Sequence, residues 1–202
     1  MQALKRELVT PGHHKHTPRP KTGSARPSTG RLTSPAQERR VVLRGKVTKL
    51  IASCCIARLV VLAAEDQQEP IIFHVDSPGG SPSEALGILS TMNGIRCPVV
   101  TFCRGQIVGP AAIIAAHGMA GHRVALANAR FSLRFSGFGV SDEADLESML
   151  PLFVEGLRKD TRKTPEEILE WFRSGAEFDA PEAIRRGLID SLGEVPSVPQ
   201  VA

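Results

Sequence analysis

The residues whose types and spacing suit hydrolytic chemistry fall in a few short phrases of the chain. In DSPGGSPS the Gly79–Gly80 pair beside Pro78 reads as a tight turn. Ser132 and Ser136 flank Arg134, and His117 and His122 follow the small-residue run AAIIAA, so hydroxyls and imidazoles are both present. Nucleophilic catalysis also needs a base that a third group orients. Ser132 alternates with Phe131 and Leu133 as a strand residue does, and no Asp or Glu falls at the expected third place. His74, between Phe73 and Val75, reads as a core imidazole bonded to backbone rather than a base or a ligand. Asp76 reads as the side-chain cap of the turn that follows it. No pairing of His, Cys, Asp or Glu has metal-ligand spacing, and neither a metal nor a cofactor is expected. Cys54, Cys55, Cys97 and Cys103 show no C-x-x-C spacing and lie in or beside apolar runs, which predicts buried, reduced thiols.

These phrases sit among short apolar runs that alternate with amphipathic segments. VVLRGKV reads as a strand ending at Gly45, and Lys49 to Glu65 as a helix with a stripe of Leu50, Cys54, Ala57, Val61 and Ala64. IIFHV is a strand and EALGILSTM a helix. CPVVTFC is a buried strand, followed by RGQIVGP and a small apolar helix over 111–118. HRVAL and RFSLRF supply two short strands, and residues 142–161 a helix containing Pro151. TPEEILEWFRSG carries a capping box at Thr164 and Glu167 and stops at Gly175; APEAIRRG is the last helix. The alternation predicts an α/β domain with parallel strands covered by helices.

Length and composition allow one core and one folded domain, expected over 39–195, with a short tail over 196–202. Residues 1–40 hold nine Lys or Arg against two Glu, and the rest hold sixteen against nineteen acids, so the basic character belongs to the N-terminus. Residues 1–38, rich in Pro, Ser, Gly and His, have too few large apolar side chains to offset ordering entropy and are expected to be disordered. That arm reads as a solvated linker, an organelle transit peptide or a partner-binding segment. No stretch is long and apolar enough for a membrane span, and no secretory h-region opens the chain.

Three passages in order, HVDSPGGSPSEALGILSTM, VVTFCRGQIVGPAAIIAAHGMAGHRVALANARFSLR and APEAIRRGLIDSL, resemble the proteolytic subunit of the ATP-dependent Clp protease, most of all its catalytically inactive, ClpR-type members. With VVLRGKV and the helix ending in AAED, the likeness covers residues 40–193. The resemblance implies a crotonase-like fold of repeated strand-strand-helix units, rings of subunits, an AAA+ unfoldase as partner and serine-peptidase chemistry. It also assigns positions. Gly109 in GQIVGPAA falls at the nucleophile, and Pro110, which has no N–H, at the second oxyanion donor. Arg134 in NARFSLR falls at the histidine, with no gap between the two phrases, and Trp171 at the acid, or Phe172 if the alignment slips by one. A guanidinium stays protonated and cannot act as base. What the resemblance leaves beyond these is the SPGG loop, whose Gly79 and Gly80 N–H groups it implies would face an extended peptide or a developing oxyanion, unless the pair serves turn geometry alone.

The expectation is therefore a non-catalytic ring subunit that joins active Clp subunits in a homo- or hetero-oligomeric ring, in the cytoplasm, or in an organelle if the basic arm is a transit peptide. The region near SGFGVSDEAD is shorter than the resemblance implies for the handle through which rings stack. Three alternatives stand beside this one: a peptidase with an unrecognised nucleophile, a crotonase-like acyl-thioester enzyme, and a binder of nucleic acid or acidic surfaces through the arm, of which nucleic acid is the less expected partner.

Overall fold

The computed structural model describes residues 39–135 and 140–194, with backbone alone for 140–146, all within the second of the chain's two units, Thr33–Ala202. The basic arm over 1–38, Ser136 and the 196–202 tail lie outside the described residues. The elements are β1 (Arg40–Arg44), α1 (Lys49–Glu65), β2 (Ile71–Ser77), α2 (Pro82–Gly94), β3 (Val99–Val108), α3 (Pro110–Ala116), β4 (Val124–Ala125), β5 (Arg130–Ser132), α4 (Val140–Thr161), α5 (Pro165–Ser174), β6 (Glu177–Asp179), α6 (Ala180–Arg185) and β7 (Ser191–Leu192).

The strands form one sheet in the order β1-β2-β3-β4-β7, and the far end of β3 also pairs with β5. Every pairing is parallel except β5 with β6. A parallel sheet needs cover on its faces, and the apolar β2 is buried along almost its whole length. This is the mixed α/β, crotonase-like arrangement that the sequence predicts.

β3 runs five residues past the predicted end at Cys103. Gly105, at φ +65, permits the irregularity that lets the strand leave β4 and continue alongside β5. A Cβ there would meet Asp76 Oδ1 at 2.7 Å. Asp76 does not cap its turn; its carboxylate lies between Arg44 on β1 (3.7 Å) and Arg104 on β3 (3.6 Å). The neighbouring Ser77 makes the local bond instead, its Oγ accepting from Gly79 N–H at 3.2 Å.

α1 is bounded as predicted, but the stripe it buries is Ala52, Cys55, Leu59, Leu62 and Ala63. The predicted stripe faces outward: Leu50 is 73% and Val61 48% exposed, and Cys54 is exposed as well. Because this helix is apolar on both faces, periodicity alone cannot choose between them. The other three thiols are buried, and burial pushes Cys55 up to about 11, which leaves it protonated and inert. His74 is buried but not bonded to backbone as expected. Its ring stands edge-on to Phe102 at 5.4 Å, and Nε2 has no partner among the described residues. Burial, then the charges of Arg40 and Arg104, push its pKa down, so the ring is neutral.

Two buried arginines close the layers. Arg39 donates to the carbonyls of Leu62 (2.9 Å), Asp66 (2.9 Å) and Glu69 (2.8 Å), tying the last turn of α1 to the loop that leaves it. Arg123, 5% exposed, donates to the carbonyls of Ala116 (3.1 Å), Asp160 (3.0 Å) and Gly187 (2.8 Å) and forks onto Asp190 at 2.9 and 2.6 Å. Burial alone would raise the Asp190 carboxyl, but the bonds and charge of Arg123 outweigh it and hold Asp190 below its ordinary range. Among the described residues no helix is long and apolar enough to cross a membrane, and no cluster of His, Cys, Asp or Glu is placed to hold a metal ion.

Removing one partner of a buried pair strands the other, so Arg123→Met should lower the unfolding free energy by about 3–5 kcal/mol in urea titrations. A carboxyl whose folded-state pKa is depressed adds stability that is complete above its unfolded value, about 3.9, and is lost as pH falls through the folded one. The variant should therefore lose less stability on acidification than the parent does; equal acid slopes would show that the pair does not titrate as the geometry implies.

Candidate functional site

The site lies where β3 ends and α3 begins. Gly109 makes the sharp turn between them at φ +53, ψ −118, a conformation that L side chains resist. Its N–H donates to Ser132 O at 2.7 Å, and its carbonyl accepts from Ala112 N–H at 3.0 Å to start the helix. A strand-to-helix turn of this kind presents a nucleophile in many hydrolases, but here the position carries only hydrogen. The surroundings have closed over it: a Cβ on Gly109 would meet the Arg134 carbonyl oxygen at 2.7 Å. Pro110 opens α3, where its fixed φ is welcome and its missing N–H removes a possible oxyanion donor.

The Gly79–Gly80 turn packs against this elbow. A Cβ on Gly79 would meet the Val108 carbonyl oxygen at 2.9 Å, and one on Gly80 would collide with the Val47 backbone. Both positions therefore require glycine for close approach as well as for their positive φ values of 92° and 147°. The Gly79 N–H is already used by Ser77 Oγ, and its carbonyl accepts from Val47 N–H at 2.8 Å. That leaves Gly80 as the one amide of the pair not bonded within the described residues. The turn reading and the peptide-facing reading thus divide between the two glycines.

Arg134 sits beside the elbow but points outward. Its Nη2 is 3.4 Å from Glu177 Oε1, and its stem lies against Gly175, the left-handed cap of α5. Trp171 is buried, edge-on to Phe178 at 5.6 Å with the Arg186 guanidinium 5.7 Å from its ring centre, while Phe172 packs on Phe135 at 5.4 Å. At the predicted acid position Trp171 is a core side chain and Phe172 is partly buried against the core. Ser132 is buried on β5, and its Oγ accepts from Arg134 N–H at 3.3 Å; no imidazole hydrogen-bonds it among the described residues.

Next to these residues is an open cavity of 620 Å³ whose walls include Gln106, Arg130, Ser132, Arg134, Glu177 and Asp179. β6, which no sequence periodicity marks, brings the carboxylates Glu177 and Asp179 in from far along the chain. Each is engaged: Glu177 by Arg134, and Asp179 as the cap of α6, its Oδ1 accepting from Glu182 N–H at 2.8 Å.

The structure also holds a histidine–carboxylate pair that the sequence did not disclose. His117 Nδ1 is 2.8 Å from Asp160 Oδ2, and Nε2 is 3.0 Å from Asn93 Oδ1. It caps the opposite end of α3 from Gly109, a helix length of roughly 10 Å away, and both ring nitrogens are taken. His117 is therefore structural in this arrangement and not a base for the elbow.

Gly109→Ser should not restore an enzyme. The positive φ and the Arg134 carbonyl should make it less stable by about 1–3 kcal/mol in urea unfolding, with no gain in hydrolysis of a fluorogenic peptide. A serine variant of unchanged stability that turns over substrate would contradict the closed geometry.

Residues 28–196 match the family model for Clp protease. The fold is similar to the crystal structure of the ClpP protease catalytic domain from Plasmodium falciparum, at 27% identity and a TM-score of 0.70 over 81% of this chain and 89% of that one. By that match and by the order of its strands and helices, the chain belongs to the Clp protease family, as a subunit of the proteolytic type.

Proposed function

We propose that this chain is a non-catalytic subunit of a Clp-type proteolytic assembly, in which it builds the ring and its chamber wall without cutting peptide. One observation carries the reading: the elbow that would present the nucleophile is Gly109 followed by Pro110, with neither an attacking oxygen nor the second N–H donor. Arg134 and Trp171, at the positions the family likeness assigns to base and acid, supply no proton acceptor. Loss of triad members in such sites leaves only residual catalysis.

The scaffold side of the reading rests on exposed apolar surface. Leu50, Val60 and Val61 on α1 are 73%, 51% and 48% exposed, and Val42 on β1 is 52% exposed. An apolar helix face of this kind is what neighbouring subunits cover in an oligomer. Active Clp subunits and an AAA+ unfoldase are the partners this reading implies. A second reading keeps Ser132 as an unrecognised nucleophile, favoured only by its place in the cavity wall.

Native mass spectrometry of the protein alone and mixed with an active Clp subunit from the same cell tests the proposal, with peptidase assays on each sample. Mixed oligomers are expected, with turnover proportional to the active subunits present and none from this chain alone. A lone monomer that cleaves peptide, and loses activity on Ser132→Ala, would replace the proposal with the second reading.

A further inference from the structure

At the junction of α4 and α5 four cations, Arg158, Lys159, Arg162 and Lys163, fall within six residues. The one acid in that run, Asp160, is turned inward, its carboxylate on His117 at 2.8 Å and its carbonyl on Arg123 at 3.0 Å. The result is a concavity of 500 Å³ walled by the four cations with Thr164 and Pro165, and with no carboxylate in its lining. The acids that touch these cations stand outside it: Glu155 is 2.8 Å from Arg158 and 3.5 Å from Lys159, and Glu167 is 3.6 Å from Lys163.

Those pairs are largely solvent-exposed and screened by water, and exchange readily for a stronger anion. Among the described residues Arg162 has no carboxylate partner at all. Cations in the last turn of α4 also favour its dipole, which accounts for Arg158 and Lys159. It does not account for Arg162 and Lys163, which lie beyond the helix, Arg162 in a left-handed conformation at φ +60. The first turn of α5 offers few amides, since Thr164 N–H is held by Glu167 Oε2 at 3.0 Å, Glu167 N–H by Thr164 Oγ1 at 3.2 Å, and Pro165 has none. Recognition here belongs to the side chains.

We propose that this concavity binds a short oligophosphate, either inorganic or the phosphate chain of a nucleotide. Guanidinium forks match phosphate oxygens, and lysines add point charge. Four cations exceed what one phosphate group of about two charges would engage, and the volume admits more than one such group. The site is remote in sequence from the elbow and stands independently of whether the subunit is catalytic.

Isothermal titration of the full chain with inorganic tripolyphosphate, ADP, orthophosphate and a short Asp/Glu peptide, at low and physiological salt, tests it. Tripolyphosphate should bind roughly tenfold or more tighter than orthophosphate, and the Arg162→Ala, Lys163→Ala double variant should weaken it roughly tenfold without lowering the melting temperature. ADP binding tighter than tripolyphosphate would support the nucleotide source, and equal or weaker ADP binding the phosphate chain alone. If the double variant melts early, Lys159→Ala should show the same direction of loss. Unchanged affinity in these variants, which would place binding on the basic N-terminal arm, overturns the proposal. So does acidic peptide binding as tightly as tripolyphosphate, or an absence of heat at millimolar ligand.

Discussion

Arg123 is the constraint on which the arrangement of this domain depends. One guanidinium takes up the free carbonyls at the ends of α3 and α4, the carbonyl of Gly187 after α6, and the carboxylate of Asp190 before β7. Helix ends bring unsatisfied carbonyls into the interior, and a buried cation is tolerated there because each of its three nitrogens finds a carbonyl or carboxylate acceptor. α3 spans seven residues, too few to hold its shape alone, so its direction comes from packing and from this clamp. The clamp grips its C-terminal end, and the elbow stands at its N-terminal end.

With the scaffold held this way, the chain makes a sharp strand-to-helix turn whose apex, Gly109, carries no side chain and is followed by Pro110. Gly109 occupies a conformation in which a side chain would be strained, and the Arg134 carbonyl fills the volume where a Cβ would stand. The adjoining glycine turn is equally close-packed, with Gly79 against Val108 and Gly80 against Val47. Backbone proximity, rather than side-chain chemistry, is what these positions now provide. In the 620 Å³ cavity beside them both lining carboxylates are already engaged, Glu177 with Arg134 and Asp179 as the cap of α6.

Much of this was legible in the residues themselves. α1 and α2 follow from apolar spacing and α5 from its capping box, and the box at Thr164 and Glu167 is present in full. Short-range rules reach such features because cause and effect lie within a few residues. They failed where two options were locally equivalent or the partner was distant. The two faces of α1 are both apolar, so only the sheet decides that Leu59 and Leu62 turn inward. Asp76 reads locally as a turn cap because Arg104, its partner on the neighbouring β3, is 28 residues away, and the His117–Asp160 pair spans 43. β6 is three residues long and pairs antiparallel, a signal too short for periodicity, so the carboxylates it carries into the cavity were not foreseen.

A subunit that cuts no peptide must lack an activated oxygen anywhere in its cleft. The most direct measurement is the intact mass of the full-length protein after incubation with a fluorophosphonate, in the same tube as an active Clp subunit. The expected result is an adduct on the active subunit and an unchanged mass for this chain. A stoichiometric adduct on this chain, mapped by peptide sequencing to Ser132 or another hydroxyl, would contradict it.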